Sequence, residues 1–378
     1  MITLNPTQHK PFRQAASRLF ADCLSRTKPT SEHRPGPTTE FHPHPAGTRL
    51  SLRHAGRAVS LLLPGQRLTE PVACGSAWLK ATQKASSAIS FVCEQDALEF
   101  RWSVAGIPQR HVGTRQPVAE PLAPALLMQP SETRLLTALA AASEATDREA
   151  LRYALSNVQL DGQTGSVAGT DGRQLVYYDG FQFPWAAQAI LVKATKLFDL
   201  AHWERIRQVT VGLLDDCLVI DADHWQVRLP VETGRFPNVR NVLPSHDTPA
   251  NRIYLDAEDR LFLKNHIKQL PGAKVENSPV MLDLNGHVDL WAAGDEHTPS
   301  MRIRLSRSLQ LGEPRRCTVN RQFLAQATRL AVEQVFIAPR ENKPLVFRGD
   351  RLTYLAQPLS GELQIDGQVP PMLVDSAS

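Results

Sequence analysis

The sequence predicts an α+β fold made of three repeated domains, each with two helices packed on antiparallel sheets. Proline-rich or polar stretches at 115–130 and 241–252 suit linkers, and cutting the 378-residue chain there gives three blocks of similar length. Each block contains two helical patterns, and each pattern is followed by short segments in which apolar and polar residues alternate. We place the domains at 1–122, 125–246 and 250–360, with a C-terminal extension at 361–378.

Six windows have the periodicity of amphipathic helices: 7–26, 75–85, 131–144, 193–205, 256–270 and 319–331. In the third window Leu135, Leu136, Leu139 and Ala142 follow the i, i+3, i+4, i+7 spacing behind Ser131 as a predicted cap. The strand patterns are clearest in ALSNVQLDG of the second block and VMLDLNGHVDLWAAG of the third.

Residues 27–47 of the first block are rich in Pro, Thr and Gly, which predicts a long connection or insert. His42 and His44 flank prolines in this predicted loop, so they do not favour a metal site. The acidic pairs Asp215–Asp216 and Asp221/Asp223 fall in hairpin-like patterns, where solvated turn carboxylates are common. They leave a metal-dependent hydrolase as the alternative from another function class.

Composition limits the function classes further. With 42% hydrophobic and 21% charged residues the chain has the balance of a globular protein, and it has no apolar run long enough for a membrane span. The N-terminus lacks the pattern of a secretory signal, and the five cysteines are scattered without a CxxC pair. We expect a cytoplasmic protein without disulfides, zinc or another cofactor. No P-loop, GxSxG or HExxH motif occurs, so we expect no catalytic residues.

Positive charge is concentrated in the helical windows. Taken with their flanks, the windows hold 17 Lys+Arg against 8 Asp+Glu, although the whole chain has 42 against 38. The windows therefore have a net charge of +9, and the remainder of the chain has a net charge of −5. Basic helices on one layer of a nearly neutral protein attract phosphates without reading sequence.

Motifs of the second and third blocks resemble a known family. RYALSNVQL (152–160), TDGRQL (170–175) and ETGRFPNVRNVLP (232–244) resemble, in order and spacing, the middle domain of the bacterial DNA polymerase III beta subunit, the sliding clamp. TVNRQFLAQATRLA (318–331) and KPLVF…LTYLAQPL (343–359) resemble the last helix and closing strand of that family, and 71–112 resembles part of its first domain. The resemblance implies three clamp domains that form a ring as a head-to-tail homodimer around duplex DNA.

The resemblance also implies two sites. A pocket that takes hydrophobic peptides of DNA polymerase and of the clamp loader would be lined by Leu155, Thr170, Gly172, Arg173, Leu175, Pro237, Val242, Asn320, Phe323, Leu345, Pro358 and Leu359. Contacts to duplex DNA, independent of sequence, would come from Arg26, Lys28, Lys80, Lys84, Arg152, Tyr153, Lys193 and Lys196. Several positions differ from the family pattern: Arg173-Gln174, Val239, Asn241, Gln357 and Ser360.

The expected function is that of a non-catalytic processivity factor, located in the cytoplasm with the nucleoid. A divergent paralogue that serves repair, or acts only as a protein-interaction scaffold, is the alternative within the same class. The tail beyond Leu359 contains QVPPML (368–373), which loosely resembles a clamp-binding peptide. This pattern leads to the hypothesis that the tail occupies its own peptide pocket.

Overall fold

The computed structural model describes residues 1–24, 36–94, 97–122, 128–147, 149–150, 154–244, 251–294, 298–338, 343–360 and 371–377. They belong to two compact units. The first unit comprises Met1–Glu144, Asn157–Gly165 and Phe181–Gly234, and the second comprises Ala145–Ser156, Ser166–Gly180 and Arg235–Ser378. The division of the sequence into three repeated blocks stays a prediction.

Short helices and many strands confirm the predicted α+β class. The α-helices are α1 (Pro6–Leu19), α2 (Ala21–Leu24), α3 (Ala77–Ala81), α4 (Arg134–Glu144), α5 (Ala257–His266) and α6 (Arg321–Arg329). The strands are β1 (Ile2–Leu4), β2 (Thr38–His44), β3 (Gly47–His54), β4 (Arg57–Pro64), β5 (Val72–Gly75), β6 (Ile89–Glu94), β7 (Ala97–Val104), β8 (Ile107–Gln116), β9 (Gln129–Ser131), β10 (Asn157–Asp161), β11 (Ser166–Thr170), β12 (Gln174–Tyr178), β13 (Ala189–Lys193), β14 (Val209–Leu214), β15 (Cys217–Ala222), β16 (Trp225–Glu232), β17 (Asn251–Tyr254), β18 (Pro279–Leu284), β19 (Val288–Ala292), β20 (Met301–Arg304), β21 (Leu309–Leu311), β22 (Arg315–Asn320), β23 (Gln334–Ile337), β24 (Leu345–Gly349), β25 (Leu352–Ala356) and β26 (Met372–Asp375). Short 3-10 helices cover Ala201–Arg205, Val239–Val242 and Ile267–Gln269.

The first unit is built on antiparallel pairings. They run in the order β9-β14-β15-β16-β4-β3-β2-β5-β8-β7-β6-β1, and β10 and β13 join through β16. Its core is aromatic: Trp78 stacks on Phe12 and on Phe100, at ring-centroid distances of 6.3 and 5.4 Å. Large rings bury much apolar area each and therefore dominate the stability of such a core.

Helix α1 follows from its sequence. Asn5 and Gln8 form a capping box, and Pro6 occupies the first turn, where its missing N–H costs nothing. The buried side chains of α1 recur at helical spacing: His9, Phe12, Ala15, Ala16 and Leu19. The opposite face is exposed at Lys10, Gln14, Ser17 and Arg18. The predicted helix at 7–26 is confirmed as α1 and α2, up to the last described residue of this segment.

The second unit contains two sheets. The first has the strand order β11-β12-β25-β24-β23-β17-β21, with every pairing antiparallel. The second has the order β22-β18-β19-β20-β26. Helices α5 and α6 were both predicted, and each begins at a side-chain cap: Asp256 accepts from the Glu258 N–H and Asn320 from the Gln322 N–H, both at 2.8 Å.

The helix predicted at 193–205 does not form. Lys193 ends strand β13 opposite Asn157, and only a 3-10 turn follows at Ala201–Arg205. The hydroxyl of Thr195 accepts from the Leu197 N–H at 3.1 Å, a local bond that competes with helix formation. Trp203 Nε1 then donates to the Leu197 carbonyl at 2.7 Å, a buried bond that closes the segment as a loop. The middle block therefore departs from the prediction of two helices per block.

The prediction that 27–47 forms a long connection or insert is also wrong in part, because a strand lies within this range. Its described residues include β2, which pairs with β3 along its whole length and with β5 over Thr38–Phe41. Pro43 is tolerated because it lies beyond the β5 pairing, where that edge of β2 needs no donor. Residues 27–35 of the predicted insert lie outside the described residues.

The C-terminal tail is not placed as the sequence hypothesis expected. Its described part forms β26, which pairs in parallel with β20. Residues 371–377 are therefore engaged at a sheet edge, and 361–370 lie outside the described part of the chain. No helix among the described residues is long and apolar enough to span a membrane.

Candidate peptide-binding and DNA-contact sites

The second unit carries an apolar cluster on one face of its first sheet. Leu175 is opposite Leu355, Leu355 is opposite Val346, and Val346 is opposite Phe336. Residues directly opposite on adjacent strands point to the same face, so these four side chains form one row across four strands. Leu175, Val346 and Leu355 are at most 8% exposed.

A segment following residue 234 lies over this row. Val239 is buried in the cluster, and Phe236 and Leu243 pack against it. Val239 is held by its N–H, which donates to the Pro237 carbonyl at 2.9 Å. Tyr177, Phe236, Leu243 and Phe336 are only partly buried, so the border of the cluster offers aromatic and aliphatic surface. Such mixed surfaces supply the anchors of peptide interfaces.

Two arginines add positive charge to the border. The guanidinium carbons of Arg252 and Arg348 lie over the Phe336 ring, at 4.8 and 5.2 Å from its centroid. Arg252 also donates to the Tyr254 hydroxyl at 3.0 Å. No carboxylate of the described residues forms an ion pair with Arg252. This end of the cluster therefore attracts negative charge.

The predicted residues of the TDGRQL motif form the turn between β11 and β12. The Thr170 hydroxyl donates to the Gln174 carbonyl at 2.5 Å and accepts from the Gly172 N–H at 3.0 Å. Asp171 accepts from the Arg173 and Gln174 N–H groups at 2.7 and 2.8 Å. Gly172 has φ +88° and open space where a Cβ would lie, so the turn geometry, not crowding, favours glycine there. The turn holds Leu175 at one end of the apolar row.

A second group of predicted residues follows β25. The Gln357 N–H donates to the Arg173 carbonyl and the Leu359 N–H donates to the Thr318 carbonyl, both at 2.8 Å. Pro358 and Leu359 thus connect the 170–175 turn to the end of β22. Asn320 and Phe323 follow Thr318 on the chain, at the start of α6.

The other predicted pocket residues are placed differently. Leu155 is beside Ala154, whose N–H donates to the Arg235 carbonyl at 3.1 Å, and Val242 is 55% exposed. Leu345 is opposite Ala356, on the face of the sheet away from the apolar row, and is 1% exposed. Its neighbour Val346 is on the row instead, because successive strand residues alternate between faces.

Most of the row and its border lies outside the residues that the sequence predicted for the pocket. Of the predicted pocket residues only Leu175 belongs to the cluster, whose further members are Ala168, Tyr177, Phe236, Val239, Leu243, Phe336, Val346 and Leu355. The alternation in 343–359 could have indicated Val346 and Leu355, but only after the register of β24 against β25 was known.

The first unit carries a basic surface on α1 and α3. Lys80 and Lys84 are exposed, on and just after α3. Arg13 of α1 donates to the Thr82 carbonyl at 2.7 Å, which ties the two helices together. Neither helix contains an acidic residue, and Lys10 and Arg18 add charge from the exposed face of α1. Within the described ranges, no carboxylate pairs with Lys80 or Lys84.

The remaining predicted DNA contacts divide into two sets. Lys193 and Lys196 are exposed in the first unit, at the end of β13 and just after it, and not on the predicted helix. Arg26, Lys28, Arg152 and Tyr153 lie outside the described residues.

The residues considered for a metal have structural partners. His42 Nε2 contacts Glu40 Oε2 at 3.0 Å inside the sheet of the first unit. Asp223 accepts from the Arg207 and Gln208 N–H groups at 3.2 and 3.0 Å, and Asp221 accepts from Gln226 at 2.8 Å. No group of three or more His, Cys, Asp or Glu side chains in the described part of the chain is arranged to hold a metal ion.

The fold is similar to that of solved bacterial sliding clamps, the beta subunits of DNA polymerase III. No family model and no curated protein matches the sequence. The likeness lies in the fold, since solved clamps cover 95–96% of the chain at 10–16% sequence identity.

Three solved structures illustrate the likeness. The beta subunit of Borrelia burgdorferi, in complex with a natural product, has a TM-score of 0.70 at 10% identity and covers 95% of this chain and 98% of its own. The Pseudomonas aeruginosa clamp bound to griselimycin has a TM-score of 0.68 at 16% identity, and the match covers 95% of this chain and 99% of the P. aeruginosa chain. The Helicobacter pylori beta clamp bound to a DNA ligase peptide has a TM-score of 0.66 at 13% identity. The match covers 95% of this chain and 99% of the H. pylori chain.

Proposed function

We propose that the chain is a DNA sliding clamp that encircles duplex DNA as a homodimer and tethers DNA polymerase. The observation that carries the proposal is the fold, shared with solved clamps over 95% of the chain. Because a fold alone does not define a function, the two candidate sites supply the specific support.

The basic surface of α1 and α3 is the proposed DNA contact. Long Lys and Arg side chains on two helices that contain no acidic residue would neutralise phosphates, release counterions and bind DNA without reading its sequence. Lys193 and Lys196 extend the proposed contact. A ring with such a lining holds DNA by topology while the phosphate contacts stay exchangeable.

The apolar cluster of the second unit is the proposed peptide site. Leu175, Leu355 and Phe336 offer a buried row with an aromatic border, which suits a short peptide with apolar anchors. DNA polymerase and the clamp loader are the proposed partners, and the H. pylori clamp bound to a ligase peptide provides a precedent for peptide binding. Tethering raises the effective concentration of a polymerase at the DNA, so processivity requires no chemistry by the clamp. We place this activity in the cytoplasm, at the nucleoid.

Retention on DNA of different topology tests the proposal. The chain is loaded onto nicked circular DNA with a bacterial clamp loader and ATP, and the bound fraction is isolated by gel filtration. A single restriction cut then linearises half of the sample. A topological ring is retained on the circle and lost from the linear DNA, whereas an ordinary basic binder stays on both. Equal retention would refute encirclement.

A further inference from the structure

Strand β26 covers an edge of the second sheet of the second unit. It pairs in parallel with β20, with Met301 opposite Met372 and Arg304 opposite Asp375. Every other pairing of that sheet is antiparallel. Without β26, the outer N–H and C=O groups of β20 would form an open edge, which is a template for another strand.

A buried carboxylate anchors the end of the tail. Asp259 of α5 is 0% exposed and accepts from the Ser376 hydroxyl at 2.5 Å, the Ser308 hydroxyl at 2.7 Å and the Arg307 N–H at 3.1 Å. Ser376 thus supplies one of three donors to a carboxylate that water does not reach. The Ser376 N–H also donates to the Arg304 carbonyl at 3.0 Å.

A second carboxylate aligns the tail with a basic edge. Asp375 accepts from the Ala377 N–H at 2.8 Å and from the Ser306 hydroxyl at 2.7 Å. These bonds, with Arg304 and Arg307 nearby, hold the pKa of Asp375 below its usual range. The sequence of the tail is therefore matched to this edge of its own chain.

The cover is nevertheless thin. β26 has four residues, and its Met372 and Leu373 side chains are 52% and 64% exposed. Parallel pairing is slightly less stable per residue than antiparallel pairing. Two of the three donors to Asp259, the Ser308 hydroxyl and the Arg307 N–H, do not belong to the tail, so this carboxylate would keep them if β26 detached.

The first unit has an edge that is left open. Residues 107–114 of β8 pair with β7 on one side, and only Arg115 and Gln116 pair with β5 on the other. Ile107 and Val112 of this strand are 64% and 54% exposed. Among the described residues, no strand pairs with the outer edge of 107–114.

We propose that β26 is a removable cap on the β20 edge and that β8 of a second copy of this chain is the strand that replaces it. The tail then controls self-association, because β26 and the incoming β8 compete for the same backbone groups of β20. This inference rests on the proposed function, since closing a ring of two copies requires an open edge on each unit.

Two variants of the full protein test the cap, with self-association measured by sedimentation equilibrium. The first is a chain ending at Pro370, which lacks β26. The second carries Met301→Cys with Met372→Cys, opposite positions whose disulfide locks β26 onto β20. The crosslink is verified by peptide mapping, and the reduced form of the same sample serves as the matched control. Circular dichroism establishes that each variant is folded.

The truncated chain is expected to dimerise at least 10-fold more tightly than the full chain. The double-cysteine variant is expected to dimerise at least 10-fold more weakly when its disulfide is formed than when it is reduced. Adding Val112→Lys to the truncated chain should reverse the gain, because a charge on the exposed β8 edge opposes strand pairing. If full and truncated chains dimerise equally, the cap is refuted and the ring proposal stands. If neither the full nor the truncated chain self-associates at about 100 micromolar, both the cap and the ring proposal are refuted.

Discussion

His202 couples the stability of the first unit to pH. Its ring lies between those of Trp203 and Trp225, at centroid distances of 4.3 and 4.8 Å. Both ring nitrogens are buried without a hydrogen-bond partner in the described residues. Burial lowers the pKa of His202 from 6.5 to about 4, because the charged ring would lose its hydration there.

The sign and size of the effect follow from this shift. Above pH 6.5 the ring is neutral in both the folded and the unfolded chain, and the stability is full. Between pH 6.5 and 4 only the unfolded chain takes up the proton, so stability is lost as the pH falls. The free energy of unfolding should fall by about 2 kcal/mol by pH 5 and by about 3 kcal/mol once the pH is below 4.

Urea unfolding followed by tryptophan fluorescence at pH 7, 6 and 5 measures the effect. Five of the six tryptophans belong to the first unit, so the signal reports mainly that unit. His202→Phe keeps a stacked ring but removes the titration, and should lose about 2 kcal/mol less than the natural chain between pH 7 and 5. His287→Gln, at an exposed turn, is the control and should behave like the natural chain. Equal losses for His202→Phe and the natural chain would refute the reasoning.

Three predictions concern the candidate sites. Replacing Lys80 and Lys84 with Ala should reduce the salt dependence of DNA binding by about two units of log K per log salt, whereas replacing both with Arg should not; an unchanged slope would place these lysines away from DNA. Phe336→Ala should weaken an apolar clamp-binding peptide by about 1–3 kcal/mol in calorimetry, and equal weakening by exposed Leu309→Ala would count against a local site. Peptides with acidic flanks should bind more tightly than basic ones, and Arg252→Gln should reduce that preference; a preference that survives the substitution contradicts the role of the charge.

Local signals in the sequence determined much of the fold. Apolar spacing predicted the helices that form as α1, α5 and α6. Local caps then fix where the last two begin, because Asp256 and Asn320 each accept from the N–H group two residues further along the chain. Alternation predicted hairpins such as β18–β19 because one strand face must be buried. The prediction of a helix at 193–205 was wrong, because the side chains of Thr195 and Trp203 form hydrogen bonds that hold this segment as a loop despite its helical periodicity.

Only the tertiary structure decided which residues meet. Leu345 and Val346 are adjacent and both apolar, and the register of β24 against β25 alone puts Val346 on the row with Leu355 and Leu345 on the other face. In the same way Ser376 reaches Asp259 because β26 pairs with β20, although 117 positions separate the two residues. Caps and periodicity are properties of neighbours along the chain. Register and long-range pairing depend on how the whole sheet buries its apolar side, which no local stretch of sequence specifies.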